Sequence, residues 1–235
     1  MKLLLISNST NAGEQYLEHA MPKIDAFLGR EYSEALFIPY AIVTDSFNNY
    51  EKKVKEKFAE LGYNLTSIHR YSNPVQAIEK AEIIVIGGGN TFALLQRMYE
   101  AEIISLIRKK IMDGVPYIGW SAGANVASPT IMTTNDMPII EPKSFKALNL
   151  IKFQINPHYT EKTIPNHGGE TRDDRLREFI TINKDVYVVA LREGTALEII
   201  DNKIRLVGEK KAKIFKYGIE PYEVDNKASL TFLLS

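Results

Sequence analysis

Tyr117-Ile118-Gly119-Trp120-Ser121-Ala122-Gly123 sets a Gly-x-Ser-x-Gly pattern between a short apolar run and a helix-forming stretch, residues 122–127. A strand that turns sharply into a helix at such a serine holds the hydroxyl exposed, the arrangement called a nucleophile elbow. The residue types suit that geometry. Gly119 and Gly123 carry no Cβ, so the chain can turn tightly and pack closely. Ala122 leaves its N–H free to face an oxyanion beside Ser121.

Upstream of the elbow, strand-like and helix-like segments alternate. Residues 3–6 precede an amphipathic stretch, 15–27, and 35–38 precede a charged helical stretch, 50–61. Residues 65–68 precede the short helical run 74–80, and 83–86 lead through Gly87-Gly88-Gly89 into a helix from Thr91. Continuous apolar strands alternating with helices predict an α/β fold, a mainly parallel sheet with helices on both faces. The last third differs. Residues 196–200, the polar Asp201-Asn202-Lys203 and residues 204–207 read as a hairpin, adding antiparallel strands at the sheet edge. With 235 residues, 45% of them apolar, the chain can bury its core as a single catalytic domain, 1–235.

A serine nucleophile needs a base and an acid that orients the base. His19 falls in the amphipathic N-terminal stretch and His69 at the end of a strand-like run; both read as structural. His167 lies in a glycine-flanked loop. His158 follows the alternating run 151–155 and an Asn156-Pro157 turn, a strand end suited to a site above a sheet, and is the candidate base. For the acid, Asp136, in the polar island Thr133-Thr134-Asn135-Asp136-Met137-Pro138, gives the chain order Ser, Asp, His. Glu193, in Leu191-Arg192-Glu193-Gly194 just after a predicted strand, is the alternative.

Two further segments carry chemistry. Gly87-Gly88-Gly89-Asn90-Thr91 joins a strand end to a helix but lacks both the dinucleotide fingerprint and the Lys-Ser/Thr of a P-loop. Beside a nucleophilic serine it suits an oxyanion hole formed by the N–H groups of Gly89 and Ala122. Thr171 and Asp174 mark a capped helix start. On that helix Arg172 falls within about 40° of the apolar positions Leu176 and Phe179. It also sits in the first turn, where the helix dipole disfavours a cation. Two costs at one residue point to an anion met by its guanidinium, either a ligand or an internal carboxylate.

Lysine plus arginine equals aspartate plus glutamate at 29 each, which argues against nucleic acid or an anionic membrane as partner. The absence of cysteine excludes a disulfide framework, a thiol nucleophile and thiolate metal sites. No histidine–carboxylate spacing suggests a metal, and no cofactor is expected. No apolar run reaches membrane-spanning length, and the polar stretch after Ile6 cuts short any signal-peptide reading, so a cytoplasmic protein is expected. A homodimer is compatible with the sequence but not specified by it.

Taken together, residues 4–10, 84–91, 117–125, 133–138, 154–158 and 169–172 with Arg175 resemble the peptidase E family of α-aspartyl dipeptidases over nearly the whole chain. The resemblance implies a serine peptidase on a class I glutamine amidotransferase-like, flavodoxin-like sheet, acting without metal on dipeptides with N-terminal aspartate. By position it implies Ser121 as nucleophile, Asp136 as acid and His158 as base. Arg172 matches the arginine associated with aspartate recognition, and Asn90 and Glu170 complete the candidate substrate-binding set. The chain departs from the family pattern at Arg192, where proline is the familiar residue. Two alternatives stay open: a related hydrolase of another acidic amide, such as an aspartyl-arginine polymer (cyanophycinase-like) or an isoaspartyl peptide, and a non-catalytic ligand-binding module.

Overall fold

Residues 3–6 and 83–86 are apolar at every position because both faces of the sheet they build are covered. The computed structural model describes residues 1–29, 31–163 and 168–234. In chain order it contains β1 (Lys2–Ile6), α1 (Met21–Leu28), β2 (Glu34–Ile38), α2 (Phe47–Glu60), β3 (Asn64–Ser67) and α3 (Pro74–Lys80). These are followed by β4 (Ile83–Ile86), α4 (Thr91–Glu100), α5 (Ile104–Met112), β5 (Tyr117–Trp120) and α6 (Ala122–Asn125). The remainder is β6 (Gln154–Tyr159), α7 (Arg172–Ile182), β7 (Val188–Arg192), β8 (Ala196–Ile200), β9 (Lys203–Val207), β10 (Ala212–Lys216) and β11 (Ile219–Val224).

The main sheet has seven strands in the order β3-β2-β4-β5-β1-β8-β9. Its first five strands are parallel to their neighbours, while β8 runs antiparallel to β1 and β9 to β8. Successive residues serve opposite faces. Leu3 and Leu5 join the core shared with α4 and α5, whereas Leu4 and Ile6 join the core shared with α1 and α2. Truncating any of them to alanine would cost about 2–5 kcal/mol. The expected α/β sheet with an antiparallel C-terminal hairpin at its edge is the one observed.

Three features depart from the sequence reading. The amphipathic stretch from residue 15 is helical only from Met21; residues before it form turns, with Leu17 at φ 57°. The strand does not end at Asn156-Pro157: β6 continues to Tyr159, with a break in its register to β7 between Asn156 and Tyr159. Proline is tolerated there because β6 is an edge strand, in a second sheet ordered β11-β10-β7-β6. That second sheet was not expected, and α7 packs on it through Leu176 and Ile180 against Tyr159, Val188 and Phe215.

Candidate active site

β5 lies between β4 and β1, so three C-terminal strand ends meet at one place on the sheet. That is where open α/β sheets bind ligands. Ser121 follows β5 with φ 54° and ψ −115°, a conformation that costs a non-glycine residue about 1–3 kcal/mol and clusters at functional sites. The flanking glycines are required by space. A Cβ on Gly119 would lie 2.4 Å from the carbonyl oxygen of Gly123, and one on Gly123 would lie 2.1 Å from that of Ile86. From below, the Tyr117 hydroxyl donates to the Gly123 carbonyl at 2.6 Å, closing the elbow.

The glycine turn after β4 packs against this elbow. A Cβ on Gly88 would stand 3.0 Å from the Ser121 Cβ. Gly89 adopts φ +139° with its Cα so close to the Ala41 carbonyl that a Cβ would approach that oxygen to 2.3 Å, so only glycine fits. The Tyr50 hydroxyl donates to the Gly88 carbonyl at 3.0 Å and accepts from the Trp120 indole at 3.2 Å, tying turn to strand. Among the described residues the N–H groups of Gly89 and Ala122 donate to no backbone or side-chain acceptor.

His158 comes from the second sheet, also at positive φ, 53°. Its Nε2 lies 2.9 Å from Ser121 Oγ and its Nδ1 lies 2.8 Å from Glu193 Oε1. An ionised carboxylate only accepts, so the proton belongs on Nδ1 and Nε2 is left to accept from the serine hydroxyl. Glu193 directly follows β7, which pairs with β6 in parallel, and this pairing brings the two residues together across 35 positions of chain. Their side chains remain 40% and 45% exposed.

The expectation that Asp136 orients the base is corrected by this geometry. Its Oδ2 accepts from the Thr91 N–H at 2.7 Å and from the Thr91 hydroxyl at 2.5 Å, which commits the carboxylate to the start of α4. Asn90, expected at the substrate, is also committed: its Oδ1 caps α4 through the Ala93 N–H and its Nδ2 donates to the Met137 carbonyl. Sequence reasoning gave no role to Ser7 and Asn8. The buried Ser7 hydroxyl accepts from the His158 N–H at 2.9 Å and donates to the Leu191 carbonyl, while Asn8 accepts from the Gly194 N–H at 2.8 Å. The available signal was polar residues immediately after the first buried strand, at the sheet end where sites form.

A cleft adjoins the relay, and a second adjoins that cleft. One, of about 570 Å³, is lined by His158 and Glu193 with Glu161, Lys162, Arg192 and Lys210. The other, of about 200 Å³, is lined by Arg172 with Thr160, Lys162, Glu170, Thr171 and Arg175, and shares Thr160 and Lys162 with the first. Arg172 opens α7 behind the expected capping box of Thr171 and Asp174. Burial, then Arg175 beside it, lowers its pKa, and no carboxylate among the described residues pairs with it. Glu170 instead faces Arg175 at 3.7 Å. Arg192, at the departure from the family pattern, is engaged by Glu161 and Glu223. His19 is buried 3.6 Å from Glu14 and close enough to Glu193 to feel its charge, and His69 bonds Ser67 and Asn48; among the described residues neither bonds a member of the relay. His167 lies outside the described residues.

A strained serine at the carboxyl end of a central parallel strand, hydrogen-bonded to a strained histidine that a carboxylate orients, defines a hydrolase-type site. The family model for peptidase family S51 matches residues 3–207. A peptidase E of Nostoc sp. is 52% identical over 233 residues, covering 99% of this chain and 96% of that protein. One of Salmonella typhimurium is 47% identical over 220 residues, covering 94% and 96%. The crystal structure of a peptidase from an acI-B1 Actinobacterium superposes with a TM-score of 0.69 over 97% of this chain and 96% of its own, at 19% identity, a likeness of fold. The chain belongs to peptidase family S51 and is a peptidase.

Proposed function

We propose that this peptidase is a serine dipeptidase that hydrolyses dipeptides with an N-terminal aspartate through an acyl-enzyme. The observation that carries the reading is the relay Ser121 Oγ–His158–Glu193, with bonds of 2.9 and 2.8 Å. His158 Nε2 takes the proton of Ser121 as Oγ adds to the scissile carbonyl carbon. The carbonyl oxygen becomes an oxyanion facing the N–H groups of Gly89 and Ala122. The protonated His158 then gives its proton to the departing amine, and water repeats the sequence on the ester. Glu193 holds the imidazole tautomer and stabilises the imidazolium.

Selectivity is assigned to Arg172. A half-buried guanidinium with no carboxylate partner among the described residues is costly unless an anion arrives, and the side-chain carboxylate of an N-terminal aspartate matches its fork. The names of the relatives, peptidase E, agree with a peptidase of this kind. The test is cleavage of Asp-Leu by the purified protein and by Ser121→Ala. The variant is expected to lose about 10⁴–10⁶-fold in kcat with an unchanged melting temperature. A variant of near-wild-type activity would remove Ser121 from the mechanism.

A further inference from the structure

We propose that Asp136 is a positioning residue for the oxyanion hole, and that segment 133–137 clasps the oxyanion turn to the base. The proposal rests on the serine-peptidase reading above. The bonds of this segment run in two directions. Toward the oxyanion turn, Asp136 Oδ2 accepts both Thr91 donors, the Thr134 hydroxyl donates to Thr91 Oγ1 at 2.9 Å, and the Met137 carbonyl accepts from Asn90 Nδ2 at 2.8 Å. Toward the base, Asn135 Nδ2 donates to the Pro157 carbonyl at 2.6 Å. The buried Asn156 returns two bonds, to the Thr133 carbonyl at 2.9 Å and to Asn135 Oδ1 at 2.6 Å. Five consecutive residues thereby join the chain just after Gly89 to the chain just before His158.

The glycine turn needs such a restraint. Consecutive glycines have the least restricted backbone, so the direction of the Gly89 N–H is set by the anchors on either side. One side is held by Tyr50 on the Gly88 carbonyl. The other is held by the Asn90 N–H on the Ala41 carbonyl at 2.8 Å and by Asp136 on Thr91. A negative charge close to an oxyanion donor opposes the developing oxyanion, so the contribution of Asp136 is geometric. Asn90 caps α4 through the Ala93 N–H, and Asp136 takes the Thr91 N–H that this cap leaves free, fixing the first helical residue after the turn.

The experiment compares Asp136→Ala with Asp136→Asn. The amide oxygen of asparagine can still accept both Thr91 bonds, whereas alanine accepts neither. For Asp136→Ala, kcat on Asp-Leu is expected to fall about 10²–10³-fold with KM nearly unchanged, the loss typical of a displaced oxyanion donor. Asp136→Asn is expected to recover to within about tenfold of wild type. The discriminating readout is binding of the α-aldehyde of aspartate, whose hemiacetal with Ser121 carries the oxyanion. Its affinity should fall with kcat in Asp136→Ala, while that of free aspartate stays constant and the rising limb of kcat/KM against pH keeps its position. Should Asp136→Ala fail to fold, Thr91→Val, which removes one of the two donors, is expected to show the same selective loss at smaller size. The proposal is overturned if the asparagine variant is as impaired as the alanine one, or if aldehyde and aspartate affinities fall together. Wild-type protein that neither cleaves Asp-Leu nor binds the aldehyde would overturn the serine-peptidase reading itself, and the clasp with it.

Discussion

Replacing Glu193 by glutamine keeps the size of the side chain and removes the charge facing His158 Nδ1 at 2.8 Å. The magnitude follows from exposure. In a deeply buried triad the equivalent change costs about 10⁴ in kcat. Here the two side chains are 40% and 45% exposed, so water screens the ion pair formed when the imidazole takes the serine proton. Two unit charges about 4 Å apart attract by about 1 kcal/mol in bulk water and about 4 kcal/mol at the effective dielectric of a protein surface. A charge-assisted hydrogen bond contributes about 1.5–3 kcal/mol net. The first range converts to a loss of about 5- to 900-fold and the second to about 10- to 200-fold, both centred near 10²-fold or below rather than at four decades. The assay is steady-state hydrolysis of Asp-Leu. Glu193→Gln with wild-type kcat, alongside an Asp136→Asn variant that is dead, would refute the reasoning and return the acid's role to Asp136.

Arg172→Ala should lose about one to two orders of magnitude in kcat/KM for Asp-Leu, with Ser121 still labelled by a small phosphonate, and Arg172→Lys should restore only part because it lacks the fork. Equal cleavage of Asp-Leu by wild type and Arg172→Ala would remove the arginine from recognition. At low pH, Glu161 and Glu223 should matter. Burial raises the pKa of Glu161, but the Arg192 guanidinium outweighs it; Lys211 and Arg192 likewise hold Glu223 low. A carboxylate whose folded value is depressed contributes stability above its unfolded value and loses it as pH falls through the folded one. The melting temperature should therefore drop on acidification from about pH 7 to about pH 3, and less steeply in Arg192→Gln. An equally steep drop in that variant would dismiss the pairing as a source of acid lability.

The sequence by itself determined whatever is local. Apolar runs without alternation dictated a sheet covered on both faces, and Gly119 and Gly123 around Ser121 dictated the elbow, because no other residue fits within 2.4 Å of the opposing carbonyls. The capping box of Thr171 and Asp174 was likewise legible, since its bonds span three residues. Tertiary structure alone decided which carboxylate meets His158. Chain order favoured Asp136, but the parallel pairing of β6 with β7 brings Glu193 to the imidazole, while the reach of α4 takes Asp136 to Thr91. The roles of Ser7 and Asn8, 151 and 186 residues from their partners, were hidden for the same reason. A hydrogen bond between distant segments depends on strand register, and strand register is set by packing of the whole sheet rather than by the residues that make the bond.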